Sequence, residues 1–245
     1  MQRLSEQDIL RIWESSVRQH PIEQALTMLS GIFPDLRNIE LLALSVGQRD
    51  AYLLALRERL FGSQFTGYAE CGQCGERLEF TFDATNIRVG AASIETVGQV
   101  LRIEVEDYEV HFHLPNSGDL AAIASCRSVA SARNILISRC VSQVFHDGKE
   151  IAAVALPEMV LAGLGKRMLE HDPQAEVTID LSCPGCGQRW SVVFDVVAFL
   201  WVEIHAYAKR LLREVHTLAR AYGWHEADIL AMSALRRQFY LEMVS

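Results

Sequence analysis

The chain carries one short pattern twice, as Cys71-Gly-Gln-Cys74-Gly-Glu-Arg77-Leu and as Cys183-Pro-Gly-Cys186-Gly-Gln-Arg189-Trp. Both copies read Cys-x-x-Cys-Gly-x-Arg-apolar, and a Phe-Asp pair follows each at the same distance, at residues 82–83 and 194–195. Two thiolates two residues apart can bind one metal ion from a single turn, and zinc prefers four ligands in a tetrahedron. We therefore predict one structural Zn²⁺ held by Cys71, Cys74, Cys183 and Cys186, in a zinc ribbon split by the 108 residues 75–182.

Other interpretations of the cysteine pairs are weaker. The pairs could bind nothing, or one of them could be a redox dithiol. A thioredoxin-like site, however, is a single motif beside a βαβ pattern, and two matched copies do not fit it. A catalytic zinc is also disfavoured, because four sulfur ligands leave no open position for water or substrate.

Composition limits the possible functions. The chain has 245 residues, of which 50% are hydrophobic, and 23 Lys and Arg against 31 Asp and Glu give a net charge of -8. A general nucleic-acid binder normally has the opposite sign, because Lys and Arg make the phosphate contacts. No secretory signal and no apolar stretch of about 20 residues is visible, so we expect a cytoplasmic protein, or one incorporated into a particle assembled there, without a membrane partner. In that reducing compartment cysteines serve as metal ligands or thiols more often than as disulfides.

Hydrophobic periodicity predicts a helix-rich α+β fold. Capping-box patterns at Ser5 and Asp8 and at Ser45 and Gln48 indicate two helix starts. An apolar stripe spaced three and four residues apart, from Leu200 to Tyr222, predicts one long amphipathic helix near the end of the chain. The expected regions are an N-terminal helical region (1–65), a first zinc knuckle (66–83), an inserted α+β subdomain (84–174), a second knuckle (175–195) and a C-terminal helical region (196–245). Strands are expected at Tyr68–Cys74 and Leu78–Phe82, at Gln99–Glu106 and Tyr108–Leu114, around the Asp147-Gly148 turn, and at Val177–Leu181.

A second repeat joins two helical segments. Leu42-Ala-Leu-Ser45-x-x-x-Arg49-x-x-Tyr52-Leu53 matches Leu230-Ala-Met-Ser233-x-x-x-Arg237-x-x-Tyr240-Leu241. A serine that caps a helix, an arginine on its exposed face and an inward Tyr-Leu pair would explain this pattern.

No residue set indicates catalysis. His111 and His113 lie two apart on an expected strand, but no carboxylate or cysteine motif accompanies them, so a polar strand face is favoured over a second metal site. Cys126 and Cys140 fall in expected helices and are predicted to be buried thiols. A basic strip on the last long helix is more simply a solvated face than a nucleic-acid site; it consists of Lys209, Arg210, Arg213 and Arg220.

Several segments resemble a known family. The stretch Gly47-Gln-Arg49-Asp50-Ala-Tyr-Leu-Leu-Ala-Leu-Arg57-Glu-Arg59-Leu-Phe61-Gly62, running into Cys71-x-x-Cys74-Gly, is similar to the baseplate hub assembly proteins of contractile-tailed, T-even type phages. Relatives in phage-tail-like contractile injection systems are closer still, because they also share the pattern of four further segments. These are His113-Leu-Pro-Asn-x-Gly-Asp119-Leu, Phe199-Leu-Trp201-x-Glu203-Ile, Leu211-Leu-Arg213-Glu214-Val-His216 and Tyr222-Gly-Trp224-His-Glu226-Ala-Asp228-Ile-Leu.

The resemblance implies a non-enzymatic structural or chaperone-like protein. Such a protein would help to assemble, or form part of, the hub and baseplate of a contractile tail, with other hub, baseplate or spike proteins as its partners. No catalytic residues come with the resemblance. Two alternatives remain open on the sequence, a zinc-ribbon protein that binds nucleic acid or acts in transcription, and a metalloenzyme.

Overall fold

A computed structural model describes residues 4–89, 98–153 and 156–244. In chain order its elements are α1 (Glu6–Ser16), α2 (Pro21–Ile32), α3 (Asn38–Leu42), α4 (Val46–Phe61), β1 (Gln64–Glu70), β2 (Arg77–Asp83), α5 (Ala84–Ile87), β3 (Leu101–Val105), β4 (Tyr108–Phe112), α6 (Ser117–Ile123), α7 (Val129–Cys140), β5 (Val141–His146), β6 (Lys149–Glu150), α8 (Glu158–His171), a 3-10 helix (Pro173–Ala175), β7 (Thr178–Ser182), β8 (Arg189–Val193), α9 (Val196–Tyr222), α10 (Glu226–Ala231) and α11 (Ala234–Val244). The helix-rich α+β class is confirmed.

The chain forms two compact units. The terminal unit combines the residues up to Asp35 with those from Val197 onward, and the central unit runs from Leu36 to Val196. The finer division of the chain into five regions, expected from the sequence, stays a prediction. Among the described helices, none is both long and apolar enough to cross a membrane.

The predicted helix starts are confirmed by their capping bonds. The amide of Asp8 donates to the Ser5 hydroxyl at 3.2 Å, and the Ser5 amide donates back to the Asp8 carboxylate at 3.0 Å. Ser45 and Gln48 exchange the same two bonds at the start of α4. Each reciprocal pair of bonds is a capping box, which satisfies backbone amides that an isolated helix end leaves without partners. The local sequence therefore determines where both helices begin.

The terminal unit packs around one face of α9. Its buried core joins α1, α9 and α10 and consists of Leu10, Ala208, Leu211, Val215, Leu218, Ile229 and Leu230. Tyr222 departs from the prediction, since it lies at the end of the same helical stripe but is 37% exposed.

A buried ion cluster holds α11 in this unit. The Arg237 side chain, 2% exposed, lies 2.5 Å from the Glu6 carboxylate through Nη1 and donates to Glu214 through Nε at 3.0 Å. Nη1 also donates to the carbonyl of Met232 at 2.9 Å. The expectation that this arginine lies on the exposed face is therefore wrong, because acidic residues of α1 and α9 draw it inward.

The matching arginine of the other repeat is buried as well. Arg49 is 6% exposed and donates through Nε to Asp50 at 2.7 Å, so its predicted exposure is also wrong. Burial raises the pKa of Asp50, and the charge of Arg49 opposes that rise. Both copies of the repeat thus bury their arginine beside a carboxylate. The hydrophobic pattern alone would place that arginine on the solvent-exposed face of its helix.

The central unit contains a four-stranded antiparallel sheet in the order β3-β4-β5-β6. The predicted hairpin at Gln99–Glu106 and Tyr108–Leu114 is confirmed, with Val105 paired to Tyr108 across the turn. The Asp147-Gly148 turn is confirmed too, and both residues have positive φ, 50° and 72°. Helix α8 packs on this sheet, and the shared core consists of Val110, Phe112, Val141, Val144, Leu156, Val160 and Leu164.

Several boundaries differ from the predictions. The strand expected at Tyr68–Cys74 instead spans Gln64–Glu70, so Cys71 and Cys74 belong to a turn. Three short helical segments were not predicted, α3, α5 and the 3-10 helix, because segments of three to five residues contain too little hydrophobic periodicity to detect.

Replacing Arg237 with Met should destabilise the terminal unit. The change keeps an unbranched apolar stem but removes the guanidinium, which leaves Glu6 and Glu214, both only 19% exposed, without their cation. Removing one partner of such a cluster costs about 3–5 kcal/mol. Chemical denaturation followed by circular dichroism measures the effect. Arg236→Met, an exposed neighbour on the same helix, is the control and should change stability by less than about 0.5 kcal/mol. Equal stability of the two variants would contradict a structural role for the cluster.

Candidate metal centre

Each cysteine pair occupies the turn of a two-stranded antiparallel hairpin. Strands β1 and β2 end in the pair Glu70 and Arg77, and β7 and β8 end in the pair Ser182 and Arg189. We call residues 71–75 the first knuckle and residues 183–187 the second knuckle. The repeated arginine of the sequence pattern is thus the first residue to rejoin the sheet after each knuckle.

The two knuckles have the same backbone hydrogen bonds. In the first, the Cys71 amide donates to the carbonyl of Glu76 at 2.9 Å, and the Gly75 amide donates to the carbonyl of Cys71 at 2.8 Å. In the second, Cys183 donates to Gln188 at 2.8 Å, and Gly187 donates to Cys183 at 2.9 Å. Equal sequence spacing therefore produces equal turns, and each turn brings its two sulfurs to one side.

The glycine after each second cysteine has a conformational role. Gly75 and Gly187 have φ of 73° and 75°, in the left-handed region that other L-residues adopt only at a cost. An added Cβ would meet no atom within 4 Å at either position, so backbone conformation and not space selects glycine here.

All four sulfurs meet at one point. Cys71 Sγ lies 3.7 Å from Cys186 Sγ, Cys74 Sγ lies 3.6 Å from Cys183 Sγ, and all four atoms lie within 4.8 Å of one another. In a tetrahedral zinc site with bonds of about 2.3 Å, the sulfurs are separated by about 3.8 Å. The donor set and its spacing therefore fit one tetrahedral metal ion, and the distances are too long for disulfides.

Local interactions shift the pKa values of the two thiols of the first knuckle in opposite directions. Backbone amides of Cys74 and Gln73 lower the pKa of the Cys71 thiol to about 7. At Cys74 the Glu76 amide acts in the same direction, but the two thiols of the second knuckle outweigh it and the pKa rises to about 12. Four thiolates this close repel each other, so all four ionise together only around a compensating cation.

Aromatic side chains join the two hairpins behind the sulfurs. Phe82 and Phe194, the phenylalanines of the repeated Phe-Asp pairs, contact each other edge to face with centroids 5.3 Å apart. Phe65 stacks on Phe82 at 4.8 Å and meets Phe194 edge to face at 5.6 Å. The Arg57 guanidinium lies 3.8 Å from the Phe65 ring centroid. Sequence reasoning did not find Phe65, because it lies before the strand expected at Tyr68–Cys74, whereas the strand begins at Gln64.

The aspartate after the first knuckle hairpin caps a helix. Asp83 accepts hydrogen bonds from the Thr85 amide at 2.9 Å and from the Ser63 hydroxyl at 2.7 Å, and these bonds lower the pKa of Asp83 to about 2. Asp195 holds the equivalent place before α9. The repeated unit is therefore a knuckle hairpin followed by an aromatic anchor and a helix start.

The two histidines named from the sequence do not share a site. His111 contacts the Glu109 carboxylate at 2.7 Å, whereas His113 lies beyond the end of β4, with its ring nitrogens 2.9 Å from the carbonyls of Leu114 and Arg139. The two rings therefore have different partners, and the pairing of β4 with β5 has a register shift between His111 and Phe112.

A second group of possible metal ligands surrounds His113. Asp119 and Cys140 lie near it, with His113, Asp119 and Cys140 offering ligand atoms within 4.8 Å of one another. Asp119, however, already accepts from the Arg139 guanidinium at 2.8 Å and from the Asn116 amide at 3.1 Å. An adjacent arginine disfavours a bound cation, so this group is a hydrogen-bonded network.

The two remaining cysteines differ from each other. Cys140 is buried as predicted, and burial raises its thiol pKa to about 12. Cys126 is only partly buried and lies between α6 and α7, so the prediction of a buried helical thiol is wrong for this residue. The Ser131 hydroxyl lies 4.0 Å from the Cys126 sulfur.

The basic strip of the sequence lies on the exposed side of α9. Lys209, Arg210, Arg213 and Arg220 are all exposed, and Arg210 is 3.7 Å from the Glu214 carboxylate. This is the arrangement expected of a solvated helix face.

The fold and the site define a helix-rich α+β protein with a candidate four-cysteine metal centre. Comparison of its sequence with family profiles gives the family. The profile of the family described as T4 bacteriophage base plate protein matches residues 4–201, so the chain belongs to that family. The resemblance to phage baseplate proteins is thereby confirmed. No curated protein and no solved structure matches the chain. Both knuckles lie inside the matched region, whereas residues 202–245 lie outside it.

Substitution of Gly75 or Gly187 by Ala should destabilise the central unit by about 1–2 kcal/mol each, because alanine is strained at positive φ. Gly72→Ala is the matched control, since Gly72 lies in the same turn, has equally open surroundings and lacks a positive φ. Denaturant titration of the protein prepared without chelators gives the three stabilities. If all three variants lost the same stability, the left-handed glycine would not be what the pattern requires.

Proposed function

We propose that this protein is a non-enzymatic structural or assembly protein of the baseplate and hub of a contractile phage tail or contractile injection system. The match of residues 4–201 to the phage baseplate family carries the proposal. Family membership implies contacts with other baseplate components, and hub or spike proteins are the partners we infer. The protein would be made in the cytoplasm and could enter the finished particle. The nucleic-acid alternative shares the knuckles but not the family match, and the net charge of -8 opposes it.

We further propose that Cys71, Cys74, Cys183 and Cys186 are the ligands of one structural Zn²⁺. The proposal is supported by the meeting of four sulfurs within 4.8 Å and by the identical turns that present them. Zinc with four thiolate ligands has no open position, so its contribution is to balance their charge and link the two hairpins. The pair Cys71 and Cys183 is buried, whereas Cys74 and Cys186 are exposed, which leaves one side of the site open to solvent.

An assembly role agrees with this arrangement. The proposed zinc links two hairpins whose cysteine turns lie more than 100 residues apart in sequence. The aromatic contacts of Phe65, Phe82 and Phe194 hold the same two hairpins together. A rigid body of this kind presents surfaces in fixed positions, as a scaffold or chaperone requires. In the proposed division, the two knuckle regions (66–83 and 175–195) form a zinc ribbon around the inserted subdomain.

Protein purified without chelators should contain about one zinc per chain, as measured by elemental analysis of the folded protein. Cys183→Ser should lose the metal and the cooperative unfolding of the central unit, because structural zinc contributes on the order of 10 kcal/mol to folding. The control is Cys126→Ser, a cysteine outside the cluster, which should keep both metal and stability. Metal-free native protein of normal stability would overturn the zinc proposal without affecting the family assignment.

Deleting the gene in the cell that encodes it should abolish assembled tail particles in electron micrographs. A plasmid copy carrying Cys126→Ser should restore the particles, whereas Cys183→Ser should not, because its central unit no longer folds. Particles of normal number and form in the deletion strain would refute the assembly role.

A further inference from the structure

The last helix exposes a stripe of large apolar side chains. Leu235, Phe239 and Met243 are 71%, 57% and 71% exposed and stand four residues apart on α11, so they lie above one another on one face. We call these three residues the α11 stripe. Side chains of this size each offer roughly 200 Å² of surface, and at these fractions the stripe exposes about 400 Å². Apolar patches of this size on a soluble protein are often functional.

Helix α11 carries large apolar side chains on its outer face as well as on its inner face. Its inward face carries Arg237, bound to Glu6 and Glu214, while Tyr240 and Leu241 pack against the core of the terminal unit. An ordinary surface helix turns its apolar side chains inward and its charges outward. Because the ion pairs of Arg237 and the packing of Tyr240 and Leu241 already hold α11, the α11 stripe is not needed to keep the helix in its own unit.

The surface area decides between two kinds of occupant. If a second copy of the chain covered the stripe with its own stripe, the two would bury about 800 Å², below the roughly 1,200–2,000 Å² of specific stable interfaces. A groove in a different protein contributes walls as well as a floor and encloses the same three side chains more completely. Helices with apolar residues at this spacing commonly bind in such grooves.

Charges at the edges of the stripe define the partner further. Arg236 and Glu242 are both exposed and flank the stripe on opposite sides, one near each end of the helix. A complementary groove therefore has an apolar floor, a carboxylate at the Arg236 edge and a basic group at the Glu242 edge. The stripe also lies outside residues 4–201, so it belongs to a part of the chain that the family profile does not include.

We infer that α11 is a docking helix whose Leu235, Phe239 and Met243 bind an apolar groove of a different protein component of the same tail. Identification of the partner as a tail component rests on the proposed function, whereas the docking surface rests on the geometry of α11. The contact adds a second role for the terminal unit, separate from the metal centre of the central unit.

The test uses a stripe variant, Leu235→Gln with Phe239→Gln and Met243→Gln, in the full-length chain. Glutamine keeps helix propensity, and the positions are exposed, so helix content and thermal stability should match the unmodified protein. In the deletion strain this variant should yield fewer particles by more than about tenfold, because the apolar contact area is lost. The control replaces three scattered exposed apolar residues, Val129, Met159 and Val202, with Gln and should restore normal numbers.

A crosslink identifies the occupant. Phe239→benzoylphenylalanine, irradiated in cells that assemble particles, should crosslink to apolar residues of one other tail protein, which mass spectrometry of the joined peptides reveals. Crosslinking to a second copy of this chain, or to no protein, would overturn the inference. Full particle numbers with the stripe variant would also overturn it, while leaving the assembly role intact if deletion of the gene abolishes particles. Normal particles after deletion would instead refute the assembly role.

Discussion

The central unit depends on the meeting of four sulfur atoms from two turns that are far apart in sequence. Cys71 and Cys186 are separated by 115 positions, yet their sulfurs lie 3.7 Å apart. Closing a flexible loop of this length costs about 4 kcal/mol of chain entropy. The aromatic contacts behind the knuckles and the proposed metal offset that cost together. Everything between the knuckles, including the four-stranded sheet and α8, must therefore fold so that its two ends return to the same place.

Buried charge has a comparable role in the helices that follow the serine caps. Arg49 and Arg237 occupy the same place in a repeated pattern, and both are buried against carboxylates. A buried ion pair gives little net stability compared with an apolar core, but it fixes position because few other arrangements satisfy the charges. In α11 the inward Arg237 helps to hold the helix, while Leu235, Phe239 and Met243 face outward.

The sequence predicted the features that depend on local chemistry. The capping boxes at Ser5 and Ser45, the Asp147-Gly148 turn and the matched cysteine turns each follow from a few adjacent residues, and all are present. Features that depend on distant partners could not be found in this way. The burial of Arg237 requires Glu6, which lies 231 positions away, and the burial of Phe65 requires a contact with Phe194. The gathering of the cysteines was an exception, because the repeat itself indicated that two distant turns belong together.

The separation of the knuckles also orders events during synthesis. At about 5–20 residues per second, the ribosome makes Cys183 roughly 5–20 seconds after Cys74. Throughout that interval the nascent chain contains only two of the four sulfurs of the centre, which is half of the coordination shell. A metal ion held there would keep water or small thiols as its other ligands and exchange easily. The hairpin of β3 and β4 and the helices that follow it are synthesised in this interval, so the four-sulfur centre can close only after the whole insert has been made.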